Sequence, residues 1–112
     1  MKDDAVYLGH MAERCRKILR ITYGISPEAF FEDEDLQDVV IRSLEIIGEA
    51  TTHISDDIKE QFSDIKWVHW KNFRNVMIHQ SFRIDMHLVL GVVRNDVPQL
   101  LSCIESILDS LS

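Results

Sequence analysis

Apolar side chains recur at helical spacing near the start of the chain, beginning at about Asp3. Positions three, four and seven residues apart fall on one face of an α-helix, and this stretch keeps that spacing up to Thr22. Gly24 follows, and glycine is the residue that most often closes the last turn of a helix. The spacing therefore predicts a helix over residues 3–22, whose apolar face consists of Leu8, Met11, Ala12, Cys15, Ile18 and Leu19.

A second apolar face runs from about Leu36 to Ile54. The acidic run at 32–35 precedes it and suits the positive end of a helix dipole. Gly48 lies inside this face, although glycine costs about 1 kcal/mol relative to alanine in a helix interior. Close approach of another helix, including one from a second subunit, would account for this glycine. The predicted inner face consists of Val39, Val40, Ser43, Leu44, Ile47, Ala50 and Ile54.

Capping residues divide the middle of the chain into shorter helical pieces. Ser26 and Pro27 are typical of the N-cap and the first residue of a short helical turn. Ser55 is a good N-cap for a short helix that ends near Phe62. These signals predict two short elements, one on either side of the second long helix.

Two further helices complete the predicted fold. One begins at Ser63 or Asp64 and runs to about Gln80. The other is long and is capped by Asp85, and Pro98 must kink or interrupt it because proline lacks an amide proton and clashes with the preceding turn. The sequence therefore predicts an all-α, up-and-down bundle of four or five helices in a single domain over residues 1–112.

The composition agrees with this fold and excludes several classes of protein. The 112 residues are 46% hydrophobic, with only 2 Pro and 4 Gly, which leaves little turn punctuation for a many-stranded β protein. Cys15 and Cys103 lie far apart, so neither a disulfide framework nor a zinc site is indicated, and no other metal or cofactor is expected. No stretch is long enough to span a membrane and the acidic opening is unlike an export segment, so we expect a cytoplasmic protein.

Charge is unevenly distributed along the chain. The net charge of −7 argues against nonspecific binding of nucleic acid. Residues 66–84 nevertheless contain Lys66, Lys71, Arg74 and Arg83 and no acidic residue. This basic segment suits a phosphate-bearing ligand.

The same segment contains polar residues inside the apolar run "FRNVMIHQSF", residues 73–82. Asn75 and His79 share a helix face, whereas Arg74 and His79 are about 140° apart on an ideal helix. One interpretation is structural, with Arg74 paired to Glu45 or Glu49 and His79 capping a helix end. The other is that Arg74 binds a phosphodiester while His79 moves protons, because a fixed guanidinium and an imidazole suit RNA cleavage.

Other side chains of this segment are weaker candidates. His69 is a minor candidate for the same basic groove, and Trp67 and Trp70 at helical spacing are more often core residues than base-stacking platforms. Apolar side chains between 66 and 80 point in several directions, which is typical of a helix buried in a core or at an interface. We therefore predict a homodimer.

The chain resembles the HepT-like family of HEPN domains. The segment "RNVMIH" is similar to the family signature of Arg and His separated by four to six residues. The segments "YLGHMAERCRKI" (7–18), "IRSLEIIGEAT" (41–51) and "RIDMHLVLGVVRNDVPQL" (83–100) are similar to its other helices, and Trp67 stands seven residues before Arg74. The resemblance covers nearly the whole chain.

This resemblance implies a dimeric helical bundle with metal-independent endoribonuclease activity, acting as a toxin restrained by a minimal nucleotidyltransferase antitoxin. Arg74 and His79 become the catalytic pair at the dimer cleft, and Asn75 takes a supporting role. The family continues with a Tyr that its antitoxin modifies with AMP, where this chain has Ser81. Ser81 is therefore the candidate modification position, in a chain that departs from the pattern.

Two alternatives to a toxin remain. In the first, the domain is a non-catalytic partner that binds a nucleotidyltransferase, a nucleotide or both, and Ser81 together with the net charge of −7 favours it. In the second, Arg74 and His79 are only structural.

Overall fold

A computed structural model describes residues 2–80 and 83–112 of the chain. It confirms the predicted all-α architecture, and no strand occurs in these residues. The helices are α1 (Lys2–Ile21), α2 (Pro27–Glu32), α3 (Glu34–Thr51), α4 (Asp56–Gln61), α5 (Trp67–His79), α6 (Met86–Gly91) and α7 (Val97–Leu111), with a π-helical turn at Val92–Asp96 between the last two.

Most helix ends follow from the predicted capping residues. Gly24 has a positive φ of 70° after α1, and the Ser26 hydroxyl accepts a hydrogen bond from the Ala29 amide at the start of α2. Ser55 caps α4 and Asp85 caps α6 in the same way. Local side-chain chemistry therefore determines where these helices begin and end.

The start of α5 differs from the prediction of Ser63 or Asp64. Residue Lys66 is the N-cap, without a side-chain hydrogen bond, and the helix begins at Trp67. The Trp67 indole Nε1 donates to the Phe62 carbonyl at 3.2 Å, so the chain before the helix is held as a turn. A tryptophan contact has replaced the expected cap.

The last helix is interrupted, as Pro98 predicts. A π-helical turn ends beside it, and the Val97 amide donates to the Val92 carbonyl, five residues back. Arg94 lies in this turn and its guanidinium donates to the carbonyls of Thr22 and Ile25. The irregular turn therefore also satisfies backbone groups beyond the end of α1.

The core lies where α3 packs against α1 and α5, and where α1 packs against α7. Its fully buried side chains include Leu8, Met11, Ile18, Leu44 and Ile47. The prediction that Val39 lies on the inner face of α3 is wrong, because Val39 is 38% exposed. The central position of α3 matters for the site, because α3 supplies one wall of a groove whose other walls are α1 and α5.

Candidate active site

Helix α5 turns its aromatic residues into the core and its polar residues outward. The indoles of Trp67 and Trp70 are buried together with Phe73 and Met77, which confirms the core interpretation of both tryptophans. The outer surface keeps apolar side chains as well, since Val68 is 69% exposed and Ile78 is 43% exposed. A helix with apolar residues on both its buried and its solvent side has surface available for a further partner.

Arg74 lies on the side of α5 that faces α3. Its Nη2 atom is 2.6 Å from Glu49 Oε2, and its Nη1 atom donates to Asn75 Oδ1 at 2.9 Å. The Arg74 side chain is 29% exposed, so the guanidinium is held in one orientation but remains in contact with solvent. The expected pairing with a carboxylate of α3 is present, and the partner is Glu49 rather than Glu45.

His79 is the last residue of α5 and is exposed. It is not among the residues that line the groove beside Arg74. The structure therefore places Arg74 and Asn75 in contact, and it places His79 separately on another side of the helix. Ser81, the candidate modification position, lies outside the described residues.

A groove of about 310 Å³ lies between α1, α3 and α5, with Arg74 in its wall. The Tyr7 ring stacks on the His53 ring, with centroids 4.5 Å apart and planes 11° from parallel. His53 Nε2 is in turn 3.5 Å from Glu49 Oε1. The lining consists of Tyr7, His10, Arg42, Glu45, Ile46, Glu49, Ala50, His53, Arg74 and Ile78.

Sequence reasoning missed the α1 side of this groove. Tyr7, His10 and His53 carry no motif, and 42 residues of chain lie between His10 and His53. Only the packing of α1 on α3 brings them together. The local signals for this cluster were the i, i+3 spacing of Tyr7 and His10 and the i, i+4 spacing of Glu49 and His53.

His69 belongs to a different cavity from Arg74. It lines a second depression of about 310 Å³ with Lys66, Asp64 and Asp96. The predicted basic segment is thus divided, with Lys66 and His69 at one end of α5 and Arg74 at the α3 groove. Across the part of the chain that the structure describes, no three His, Cys, Asp or Glu side chains form a group that could hold a metal ion.

The two cysteines occupy different environments. Cys15 is fully buried in the α1 face, and burial raises the pKa of its thiol from 9.0 to about 12. Cys103 on α7 is half-buried. Neither lies in the groove that contains Arg74. None of the described helices has the length and apolar character needed to cross a membrane.

Comparison with known proteins gives one family. Residues 11–107 match the family model described as ribonuclease HepT-like. The chain is 37% identical over 94 residues to "Probable ribonuclease HepT" of Thermococcus cleftensis, covering 84% of this chain and 86% of that protein. It is 33% identical over 99 residues to "Putative RNase MJ1380" of Methanocaldococcus jannaschii, covering 88% of this chain and 91% of that one.

A third relative is longer than this chain. "Gamma-glutamylcyclotransferase and putative RNase MJ0434" of Methanocaldococcus jannaschii is 34% identical over 110 residues. The match covers 98% of this chain and 50% of that protein. No solved structure matches.

Proposed function

This chain belongs to the ribonuclease HepT-like family, and from that premise we propose that it is a metal-independent RNA endonuclease that acts as a homodimer. His79 is the proton-transfer residue, Arg74 is the phosphate ligand and Asn75 supports Arg74. The observation that carries the proposal is the position of Arg74, which is oriented by two side chains at the edge of an open groove.

The reaction is a transesterification within the RNA strand. The ribose 2′-oxygen forms a bond to phosphorus, the bond from phosphorus to the 5′-oxygen breaks, and the products are a 2′,3′-cyclic phosphate and a 5′-hydroxyl. One proton leaves the 2′-hydroxyl and one joins the departing 5′-oxygen. Imidazole serves both transfers near neutral pH, and such catalysis is typically worth about 10²–10⁴-fold.

Arg74 suits the developing charge on phosphorus. A guanidinium has five N–H donors, and the contacts with Glu49 and Asn75 leave others for phosphate oxygens. Because these contacts already orient the side chain, little order has to be imposed when the substrate binds. The Arg74 guanidinium is therefore already oriented for the phosphate before the transition state forms.

A second copy of the chain explains how His79 joins Arg74. The two residues point about 140° apart on α5, so a single helix does not direct both at one phosphate. The exposed apolar side chains Val68 and Val76 give this helix a surface that a partner helix would cover. In such a dimer, two imidazoles are available, one as base and one as acid.

The biological role that we propose is that of a toxin neutralised by a cognate minimal nucleotidyltransferase. This proposal rests on the family resemblance of the site segment, and Ser81 in place of Tyr is the point at which the chain departs from it. A second candidate is therefore a non-catalytic domain that binds such a nucleotidyltransferase, its nucleotide or both. Ser81 and the net charge of −7 favour this second candidate.

RNA cleavage by the purified protein, measured in the presence of EDTA, tests the catalytic proposal. His79→Ala should lower the rate by at least about 100-fold. His87→Ala is the matched control, because His87 is also exposed but lies on α6. A parent protein that does not cut RNA, or a His79→Ala variant that cuts at the parental rate, would contradict the assignment.

Growth of cells expressing the chain separates the two candidate roles. The toxin proposal expects growth to stop without the neighbouring nucleotidyltransferase and to resume with it. Normal growth and no cleavage, with tight binding to that nucleotidyltransferase, would favour the non-catalytic partner. The localisation that we propose, the cytoplasm, follows from either role.

A further inference from the structure

We propose that the groove between α1, α3 and α5 is a subsite for one nucleobase, and that it prefers guanine. The inference rests on the proposed function only in its reference to RNA. The subsite would hold the base next to the phosphate that Arg74 contacts. It goes beyond the Arg74 and His79 pair, because none of its recognition residues takes part in the bond changes.

The size and charge of the groove favour a neutral ring. Its volume of about 310 Å³ is at the lower end for small-molecule sites, which suits a single base. Its lining contains two arginines and two glutamates, so the ionised groups balance: Arg42, Arg74, Glu45 and Glu49. A balanced groove has no preference for a bare phosphate, and the phosphate is better placed at its Arg74 edge.

The α1 side of the groove provides an aromatic surface. Tyr7 is half-buried and stacks on His53, which is itself exposed, and both rings line the groove. His10 meets the Tyr7 ring edge-on, with centroids 5.9 Å apart. Bases stack on such rings whatever their identity, which gives affinity without selectivity.

Selectivity comes from Arg42 and Glu45 on α3. The two residues are three positions apart on one helix, so their side chains are neighbours. Among the residues that the structure describes, neither has a hydrogen-bond or salt-bridge partner, and Glu45 is partly buried. Both side chains are therefore available to a ligand, and an ionised carboxylate accepts stronger hydrogen bonds than a neutral oxygen does.

Guanine is the base whose edges match both groups. Its N1–H and N2 amino group are adjacent donors for the Glu45 carboxylate, and its O6 and N7 atoms accept from a guanidinium such as Arg42. Where guanine presents these two donors, adenine presents the N1 acceptor and a C2–H group, and its N6 amino donor stands where guanine has the O6 acceptor. Uracil has no exocyclic amine, so it would leave part of the Glu45 carboxylate unpaired.

Binding of the four nucleoside 3′-monophosphates, measured by calorimetry or by NMR titration of the intact protein, tests the proposal. Guanosine 3′-monophosphate should bind about tenfold more tightly than the uridine compound. Glu45→Gln should reduce that preference to under about threefold, whereas Glu60→Gln, at an exposed position on α4, should leave it unchanged. Equal binding of the four nucleotides, or no binding, would overturn the subsite.

Tyr7→Ala tests the stacking surface separately. It should weaken binding of all four nucleotides by about tenfold. Tyr23→Ala is the matched control, because Tyr23 is 90% exposed and lies outside the groove. Unchanged binding by Tyr7→Ala would overturn the placement of the base.

The two proposals fail in different ways. A protein that binds guanosine 3′-monophosphate in the groove but does not cleave RNA retains the subsite and loses the catalytic proposal. A protein that cleaves RNA with no base preference and binds no nucleotide in the groove retains the catalytic proposal and loses the subsite.

Discussion

Gly48 on α3 packs directly against the side chain of Arg74 on α5. A methyl group added to Gly48 would lie 2.7 Å from the Trp70 carbonyl oxygen and closer still to Arg74 Cβ. The two helices therefore pack closely together where the side chain of the candidate phosphate ligand begins. The contact is within one chain, so the close approach that Gly48 predicts requires no second subunit.

Gly48→Ala should lower the free energy of unfolding by about 2 kcal/mol, because the added methyl group meets backbone as well as side chain and the helices must separate. Movement of α5 also shifts Arg74, so the rate of RNA cleavage should fall more than the loss of folded protein explains. Urea denaturation and a cleavage assay below the unfolding transition measure the two effects.

Gly9→Ala is the control for this change. Gly9 also lies inside a helix, but nothing lies within 4 Å of a methyl group added there. Alanine should therefore stabilise the protein by about 0.5–1 kcal/mol through its better helix propensity. If the two variants changed stability in the same direction, the close contact at Gly48 would be wrong.

Arg74→Ala separates a structural arginine from a functional one. Arg74 is 29% exposed and Glu49 is 49% exposed, and an ion pair so open to water is worth at most about 1 kcal/mol. We therefore expect a small loss of stability and a large loss of RNA cleavage. A loss of several kcal/mol would instead indicate that the pair serves the fold.

Arg16→Ala provides the comparison. The Arg16 guanidinium pairs with Glu105 at 3.0 Å, and both side chains are about half exposed. Its removal should cost a similar small amount of stability and leave RNA cleavage unchanged. Thermal unfolding and a cleavage assay on the two variants complete the test.

Local signals in the sequence predicted most helix ends, because a cap depends on residues within one turn of it. The side chains of Ser26, Ser55 and Asp85 each accept a hydrogen bond from a backbone amide, as expected. The prediction of where α5 begins was wrong, because the Trp67 indole holds the preceding residues in a turn by a hydrogen bond to the Phe62 carbonyl. When a side chain inside the helix fixes the turn before it, the sequence needs no capping residue at the helix start, and no such residue marks it.

The candidate site was predictable only where it is local. Arg74, Asn75 and His79 could be singled out as polar residues in an apolar, basic segment, and pairing of Arg74 to α3 followed from charge balance. From the sequence, Glu45 and Glu49 were equally suitable partners for Arg74. The structure pairs Arg74 with Glu49. The Tyr7–His53 stack could not be predicted, because it depends on how α1 packs on α3.

Asp4 should be important for stability although it lies near the chain start. It is 2% exposed, and its carboxylate accepts from the Ser55 amide at 2.8 Å and from the Ser55 hydroxyl at 2.6 Å. Asp4→Ala leaves both donors of Ser55 without this acceptor, so we expect a loss of about 3 kcal/mol in chemical denaturation. Asp3→Ala, at an exposed neighbour, should change stability by less than about 0.5 kcal/mol.

The two thiols should differ in reactivity. Burial keeps Cys15 protonated, with its pKa raised to about 12, whereas Cys103 is half-buried. Because the thiolate is the reactive form, iodoacetamide at pH 8.5 should modify Cys103 and spare Cys15 until the protein is unfolded. Mass spectrometry of the labelled protein identifies the modified residue, and Cys103→Ser should remove the label. Labelling of Cys15 in the folded protein would contradict its burial.

The same pKa predicts a loss of stability in alkali. Below pH 9 the Cys15 thiol is protonated in both the folded and the unfolded chain, so it adds no pH dependence. Above pH 9 the unfolded chain loses this proton while the folded protein keeps it, and stability falls as the pH rises towards 12. At pH 10.5 this contribution is about 2 kcal/mol, and it should be absent in Cys15→Ala.

Val68→Glu tests the proposed homodimer. Val68 is the most exposed apolar side chain on α5, at 69%, and helical geometry places it on the same side as Asn75 and His79. In the proposed dimer a glutamate there would have to be desolvated between two copies, so the variant should be monomeric in light scattering. Leu111→Glu, also at an exposed apolar position but at the end of α7, should remain dimeric. Because the proposed site brings His79 to Arg74 through the second copy, the monomeric variant should also lose RNA cleavage while keeping its helical circular dichroism. A Val68→Glu variant that cleaves RNA as a monomer would show that one chain suffices for the site.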